Sequence, residues 1–173
     1  MDAQEVLNFF RRRRSVRRFQ NKPLSQETLE ILMKAAMAAP SGNNSQPWEF
    51  AVVQDSKVKE ALSTVHPWVY MAKEAGAAIV VLGDKSSEWW EHDCAAATEN
   101  LLLAAANLGL GAVWCGIKEH QEEAVRRILG APSKLGVLCI IPIGHPAESP
   151  PPNTKYQKAK VHWDRFGKPG MLK

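Results

Sequence analysis

The sequence contains few of the side-chain combinations that form a metal site or a nucleophilic catalytic site. Its only cysteines, Cys94, Cys115 and Cys139, are far apart, and its five histidines are scattered. Neither set has the spacing of metal ligands, and an odd number of separated cysteines is typical of free thiols in a reducing compartment. The Gly-x-Ser-x-Gly motif of serine hydrolases is absent. The sequence therefore predicts neither a metal site nor a catalytic nucleophile.

Long hydrophobic runs are also scarce. Residues 100–117 are 18 residues without a charge, which is near the lower limit of a membrane span. Three glycines and two asparagines interrupt this run, so a buried helix followed by a turn and a strand is the better interpretation. The first ten residues carry Asp2 and Glu5 and lack the apolar core of a signal peptide. We expect a cytoplasmic protein with no membrane partner.

Hydrophobic spacing predicts helices and strands that do not alternate regularly. Residues 1–173 are expected to form a single domain, because 173 residues can bury one large core. Apolar residues at three- and four-residue intervals predict helices at 4–10, 25–39, 56–65, 88–108 and 119–129. Apolar segments predict strands at 48–53, 77–82 and 137–143, and residues 112–115 are either a short strand or a turn. This order predicts helices around a small central sheet rather than a doubly wound fold.

The basic charge is concentrated in one segment, residues 11–19. It contains six of the arginines, without which 16 basic and 18 acidic residues would give a net charge of −2 instead of +4. Guanidinium groups bind phosphate oxygens through donors held in a fixed plane, and Ser15 adds a hydroxyl donor. The segment predicts a phosphate-binding site. A solvated charged surface or a basic segment that binds nucleic acid loosely is the alternative.

Two further segments are suited to a flat ligand. Residues 40–48 are rich in neutral hydrogen-bonding groups, which match a heteroaromatic edge with alternating donors and acceptors, although Ser, Gly and Asn are also ordinary loop residues. Residues 109–116 contain three glycines, which let a backbone approach a ring closely. Gly109 and Gly111 lack the third glycine and the preceding strand of a dinucleotide-binding fingerprint.

Together the three segments resemble the nitroreductase family of FMN flavoproteins. The motifs are Arg-Arg-Ser-Val-Arg-x-Phe at 13–19, Ala-Pro-Ser-Gly-Asn-Asn-Ser-Gln-Pro-Trp at 39–48, and Gly-Leu-Gly-Ala-Val-Trp-Cys-Gly at 109–116. Their order and approximate spacing match over almost the whole chain. The C-terminal segment from Thr154 to Trp163 also looks like that of the short clostridial-type members.

The resemblance implies a role for individual residues. Arg13, Arg14 and Ser15 match positions that hold the FMN phosphate and ribityl chain, Arg17 matches the basic residue near the pyrimidine edge, and Lys155 matches a phosphate-binding cation. The loop that reaches the flavin from the other subunit is matched by Pro40, Ser41, Asn44 and Gln46. Cys115 and Gly116 match the turn facing flavin N5; some longer members have glutamate at the position of Cys115.

The resemblance also implies a fold, an assembly and a reaction. Family members are α+β proteins with a central, mostly antiparallel sheet flanked by helices, and they form intertwined homodimers. We expect the tail at 153–173 to dock on the partner subunit. The implied reaction is ping-pong hydride transfer from NADH or NADPH through FMN to a small electron-poor acceptor such as a nitroaromatic or quinone. The same fold used for dehalogenation or enone reduction is the first alternative; a nucleic-acid-binding module is the second.

Overall fold

A computed structural model describes residues 2–151 and 155–168, and within these ranges five strands form one sheet. The strands are β1 (Trp48–Val53), β2 (Ala77–Asp84), β3 (Gly111–Ala112), β4 (Cys115–Gly116) and β5 (Leu135–Gly144). The α-helices are α1 (Ala3–Arg12), α2 (Gln26–Met37), α3 (Ser56–Ser63), α4 (Trp90–Asn107) and α5 (Glu119–Leu129). Short 3₁₀ helices cover Gly42–Asn44, Pro67–Lys73 and Lys158–Lys160.

The sheet is antiparallel throughout these strands. Its order is β1-β2-β5-β3, and β4 pairs with β5 beside β3. Strand β5 is thus the central strand, and β1 lies at one edge. Helices flank the sheet without a regular strand–helix alternation, as the sequence predicts. The predicted α+β class with a mostly antiparallel sheet is confirmed.

Strand β2 is buried on both faces. Ala77, Ile79 and Val81 pack into a core shared with α2 and α4, whereas the alternate residues of the same strand pack into a second core on the opposite face. Because successive side chains of a strand point to opposite faces, a continuous apolar run is what a two-sided core requires. The helices therefore cover both faces of the sheet.

Helices α2 and α4 lie where the sequence predicts them, with bounds shifted by one or two residues. The Ser25 hydroxyl accepts a hydrogen bond from the Thr28 amide at 3.2 Å and caps α2. The second half of α4 is central, with Leu101 and Ala105 fully buried. Gly109, two residues beyond α4, has a φ of 75°, a conformation that glycine adopts without a Cβ penalty.

Most predicted boundaries, except those of β1 and α5, differ from the observed ones by one or two residues. Helix α4 starts at Trp90 rather than at residue 88, and β5 starts at Leu135 rather than at residue 137. A Cβ on Gly136 would lie 2.4 Å from the indole of Trp90, so a glycine at this strand position lets the tryptophan approach the backbone closely. Residues 112–115 divide into the end of β3 and the start of β4, with Val113 and Trp114 between them.

Candidate functional site

The arginine-rich segment is attached to the edge of the sheet. The Val16 amide donates to the Ala112 carbonyl at 3.0 Å, and Ser15 forms an isolated parallel bridge with Ala112. Val16 and Phe19 are buried in the core beside the sheet. A Cβ on Gly111 would lie 2.6 Å from Val16, so the glycine allows this close approach. Burial of the two apolar residues fixes where the charged residues between and around them lie.

Four of the six arginines of this segment line a cavity of about 520 Å³. Its walls are formed by Arg13, Arg14, Ser15, Arg17, Arg18, Tyr70, Glu148, Pro150 and Lys155. Five cationic side chains therefore surround one carboxylate. Such a concentration of guanidinium groups in a concave site favours an oxygen-rich anion as the ligand.

The one carboxylate in the cavity wall binds the backbone of the arginine segment. Glu148 Oε1 accepts hydrogen bonds from the amides of Arg17 at 2.6 Å and Arg18 at 3.2 Å. The Arg18 carbonyl in turn accepts from the Ala147 amide at 2.8 Å. Glu148 thus fixes the backbone of this segment.

Two arginines of the cavity differ in how their side chains are paired. Arg13 Nε lies 3.4 Å from a carboxylate oxygen of Glu99, in a pair that is largely exposed on the glutamate side. Arg14 Nε is buried and has no hydrogen-bond partner among the described residues. An unpaired buried donor is costly, and an anion in the cavity is a natural partner for it.

Strand β4 lies close to the same cavity. Burial raises the pKa of the Cys115 thiol to about 11, and the nearby charge of Arg17 lowers it in part. The Cys115 thiol donates to the Trp68 carbonyl at 3.1 Å, in the same 3₁₀ helix as the cavity residue Tyr70. The thiol is therefore protonated and inert at neutral pH.

The amide-rich loop lies against the start of α4. The Gly42 amide donates to Asp93 Oδ1 at 3.0 Å, and Ser45 Oγ donates to Asp93 Oδ2 at 3.4 Å. The Ser41 hydroxyl accepts from the Gln46 amide at 3.0 Å, and the Gln46 side chain donates to Asn44 Oδ1 at 2.9 Å. The loop is thus closed by its own hydrogen bonds and joined to α4 through one carboxylate.

The structure brings together only part of the predicted site. Arg13, Arg14, Ser15, Arg17 and Lys155 line one cavity, and Cys115 is near enough to Arg17 for its pKa to respond. The remaining predicted residues are absent from the cavity wall of the same chain: Pro40, Ser41, Asn44, Gln46, Cys115 and Gly116. Their roles remain predictions, and the segment from Thr154 to Trp163 begins outside the described residues.

Four residues of the cavity wall are not among the predicted cofactor-binding residues: Arg18, Tyr70, Glu148 and Pro150. Arg18 belongs to the arginine segment and could have been included on composition alone. Glu148 gives no such signal, because its partners are backbone amides about 130 residues away in sequence. Across the described parts of the chain, no three His, Cys, Asp or Glu side chains are arranged to hold a metal ion, and no helix has the length and apolar character needed to cross a bilayer.

The fold is a helix-flanked antiparallel sheet with an arginine-lined cavity beside it, and such a cavity favours an oxygen-rich anionic ligand. The model of the Nitroreductase family matches residues 10–66 and 63–145. A protein of Methanothermobacter thermautotrophicus, provisionally named an NADH dehydrogenase/NAD(P)H nitroreductase, is 36% identical over 94% of this chain and 88% of its own length. The chain belongs to the nitroreductase family, and the predicted family is confirmed.

Two further relatives extend the comparison. A provisionally named nitroreductase from Desulfovibrio desulfuricans, solved in complex with FMN, is 30% identical and has a TM-score of 0.82, with 93% of this chain and 97% of that chain covered. An iodotyrosine deiodinase of Thermotoga neapolitana is 30% identical over 87% of this chain and 92% of its own length. The family thus includes enzymes with different acceptors.

Proposed function

We propose that this protein is an FMN-dependent oxidoreductase that passes hydride equivalents from NADH or NADPH to a small electron-poor acceptor. The observation that carries the proposal is the cavity lined by Arg13, Arg14, Ser15, Arg17 and Lys155. Cationic and hydroxyl donors that meet in a concave site suit the phosphate of FMN. In this proposal residues 1–173 form one FMN-binding domain per subunit.

The chemistry of the donor set fits FMN. The buried Nε of Arg14 has no partner among the described residues and could donate to a phosphate oxygen. Ser15 and Lys155 supply a hydroxyl and an ammonium group to the same cavity. Each charge-assisted hydrogen bond contributes about 1.5–3 kcal/mol, so three of them, together with burial of the ring, account for the roughly 8 kcal/mol of micromolar binding.

Bound FMN supplies the hydride chemistry, and the chain's own residues bind and orient it. Arg17 is assigned to the pyrimidine edge, where its positive charge stabilises the negative charge that develops there. Cys115 and Gly116 are assigned to the turn that faces the reactive side of the ring. The thiol of Cys115 is protonated at neutral pH, since burial raises its pKa to about 11, and it takes no part as a nucleophile.

The proposed enzyme is a homodimer. The loop residues Pro40, Ser41, Asn44 and Gln46 do not line the cavity of their own chain, so in the proposal they reach the cofactor of the partner subunit. Helix α1 has no buried residue and leaves Val6, Leu7 and Phe10 exposed. Exposed clusters of large apolar side chains are typical of interfaces.

The C-terminal tail is proposed to dock on the partner. Its described aromatic residues are exposed in the single chain, Tyr156 at 77%, Trp163 at 57% and Phe166 at 92%. Sedimentation at micromolar concentration tests the assembly. A dimer is expected, and an FMN-saturated monomer would contradict the assignment of the loop to a second subunit.

The reaction is tested by NAD(P)H oxidation. In the absence of oxygen, FMN-loaded protein is expected to turn over NADH or NADPH beyond one equivalent only when a quinone or nitroaromatic is present, with the parallel reciprocal plots of a ping-pong reaction. Protein stripped of FMN is expected to be inactive until FMN is restored. Turnover that does not depend on FMN would exclude the proposal.

Reductive dehalogenation by the same fold is the second candidate, because a relative that is 30% identical is named an iodotyrosine deiodinase. Iodide release from 3-iodotyrosine with reduced protein distinguishes the two. The nucleic-acid alternative has less support, since four of the six arginines line a concave cavity. A cytoplasmic location is also proposed, and three free cysteines agree with it.

A further inference from the structure

Asp93 is a buried carboxylate to which neither the sequence motifs nor the proposed reaction assign a role. Its exposed fraction is 6%, and it lies in the first turn of α4. Both of its oxygens are used by the loop at 40–48: Oδ1 accepts from the Gly42 amide at 3.0 Å, and Oδ2 accepts from the Ser45 hydroxyl at 3.4 Å. A polar group this deeply buried is costly unless it is hydrogen-bonded, so its partners indicate its purpose.

The loop that Asp93 holds has an unusual backbone. Asn43, Asn44 and Gln46 have φ angles of 52°, 54° and 46°. Asparagine tolerates this left-handed region, but glutamine does so rarely. Residues in sparsely populated conformations persist only where surrounding contacts impose them, and they are concentrated at ligand-binding sites. Asp93 contacts Gly42 and Ser45, which flank Asn43 and Asn44 in sequence. These two hydrogen bonds can therefore hold the asparagines in the left-handed conformation.

The start of α4 is suited to this task. The amino-terminal end of a helix stabilises negative charge, and here no described cation pairs with Asp93. Gly42 packs so closely on the neighbouring Trp89 that a Cβ at position 42 would lie 2.9 Å from the indole. One face of the loop is thus fixed by Trp89 and Asp93, whereas Asn44 and Gln46 are exposed on the other.

We infer that Asp93 is a positioning residue that holds this loop in the conformation in which Ser41, Asn44 and Gln46 present hydrogen-bonding groups to the cofactor of the partner subunit. The inference rests on the proposed function. It assigns Asp93 no contact with the cofactor and no part in hydride transfer. Its effect reaches the site through Gly42 and Ser45, and it sets affinity for FMN rather than the rate of the chemical step.

The test compares Asp93→Asn and Asp93→Ala in the full-length protein. Amide hydrogen exchange at 42–46 reports the loop, and fluorescence titration reports the Kd for FMN. Asp93→Asn keeps one side-chain acceptor oxygen, so the rate of amide exchange at 42–46 and the Kd for FMN are expected to rise modestly. Asp93→Ala keeps no acceptor. The exchange rate and the Kd are expected to rise further in Asp93→Ala. Its Kd for FMN should increase about tenfold or more, because the loop loses a charge-assisted hydrogen bond. Saturating FMN is expected to restore NAD(P)H oxidation in both variants.

The matched control is Glu122→Gln. Glu122 is also a buried carboxylate, at 9% exposure, but it pairs with Arg126 at 2.6 Å on α5 and does not touch the loop. This variant is expected to leave loop exchange and FMN affinity unchanged even where it lowers the melting temperature. Unchanged exchange and Kd in either Asp93 variant, or activity that saturating FMN does not restore, would overturn the inference. Wild-type protein that fails to bind FMN would instead refute the proposed function, while exchange still reports whether Asp93 holds the loop.

Discussion

Replacement of Arg14 by methionine should change the FMN-free and FMN-bound protein in opposite directions. The Arg14 side chain lines the cavity, and its Nε is buried without a partner among the described residues. Methionine keeps an apolar stem of similar length and removes the unpaired Nε donor. In FMN-free protein the change therefore removes a cost, and in FMN-bound protein it removes a ligand contact.

The expected magnitudes follow from these two roles. A buried unsatisfied donor costs about 1–3 kcal/mol, and 1 kcal/mol shifts the melting temperature of a protein this size by about 2–4 °C. FMN-free Arg14→Met should therefore melt no lower than wild type and up to several degrees higher. Loss of one charge-assisted hydrogen bond, about 1.5–3 kcal/mol, should raise the Kd for FMN by about 10- to 150-fold.

Calorimetry of both forms and fluorescence titration of FMN measure these effects. Arg14→Lys keeps the charge but loses the planar donor set, so its Kd should be intermediate. Arg127→Met is the control, because Arg127 pairs with Glu123 in an exposed contact on α5 and should contribute little. A fall in the melting temperature of FMN-free Arg14→Met, with a Kd within twofold of wild type, would refute the reasoning.

Three further variants or treatments test other parts of the account. Arg13→Ala should raise the Kd for FMN about tenfold. It should lower the melting temperature of FMN-free protein by less than about 2 °C, since the partly exposed pair of Arg13 with Glu99 is weak. Equal effects on the FMN-free and FMN-bound forms would contradict the assignment of Arg13 to the cofactor. Gly136→Ala should lower the melting temperature by roughly 2–10 °C, because its Cβ would overlap the Trp90 indole, and an unchanged value would show that Trp90 is free to move. Cys115 should resist iodoacetamide at pH 8 and react only as the pH approaches 11, because burial raises its pKa to about 11. Rapid labelling of folded protein at pH 8 would disprove its burial.

The sequence predicts elements best where a single local pattern determines them. The bounds of β1 and α5 agree with the predicted 48–53 and 119–129, because alternation and helical spacing are local signals. The start of β5 differs from the prediction because Gly136 is a poor strand former, and its place in the strand depends on Trp90, which is distant in sequence. Tertiary packing decides such boundaries.

The candidate site divides in the same way. The arginine segment could be predicted from composition, and the structure places Arg13, Arg14 and Arg17 around one cavity. Glu148 and Asp93 could not be predicted, because each carboxylate binds backbone amides of a segment remote in sequence. The sequence neighbours of Glu148 and Asp93 carry no local signal of such a contact.

The most direct test of the central claim is the visible absorption spectrum of the purified protein, recorded before and after NADH or NADPH is added without oxygen. The account predicts a yellow protein whose flavin absorption bands disappear on addition of the nicotinamide and return when a quinone is supplied. A protein that stays colourless after incubation with FMN and removal of the excess would contradict it.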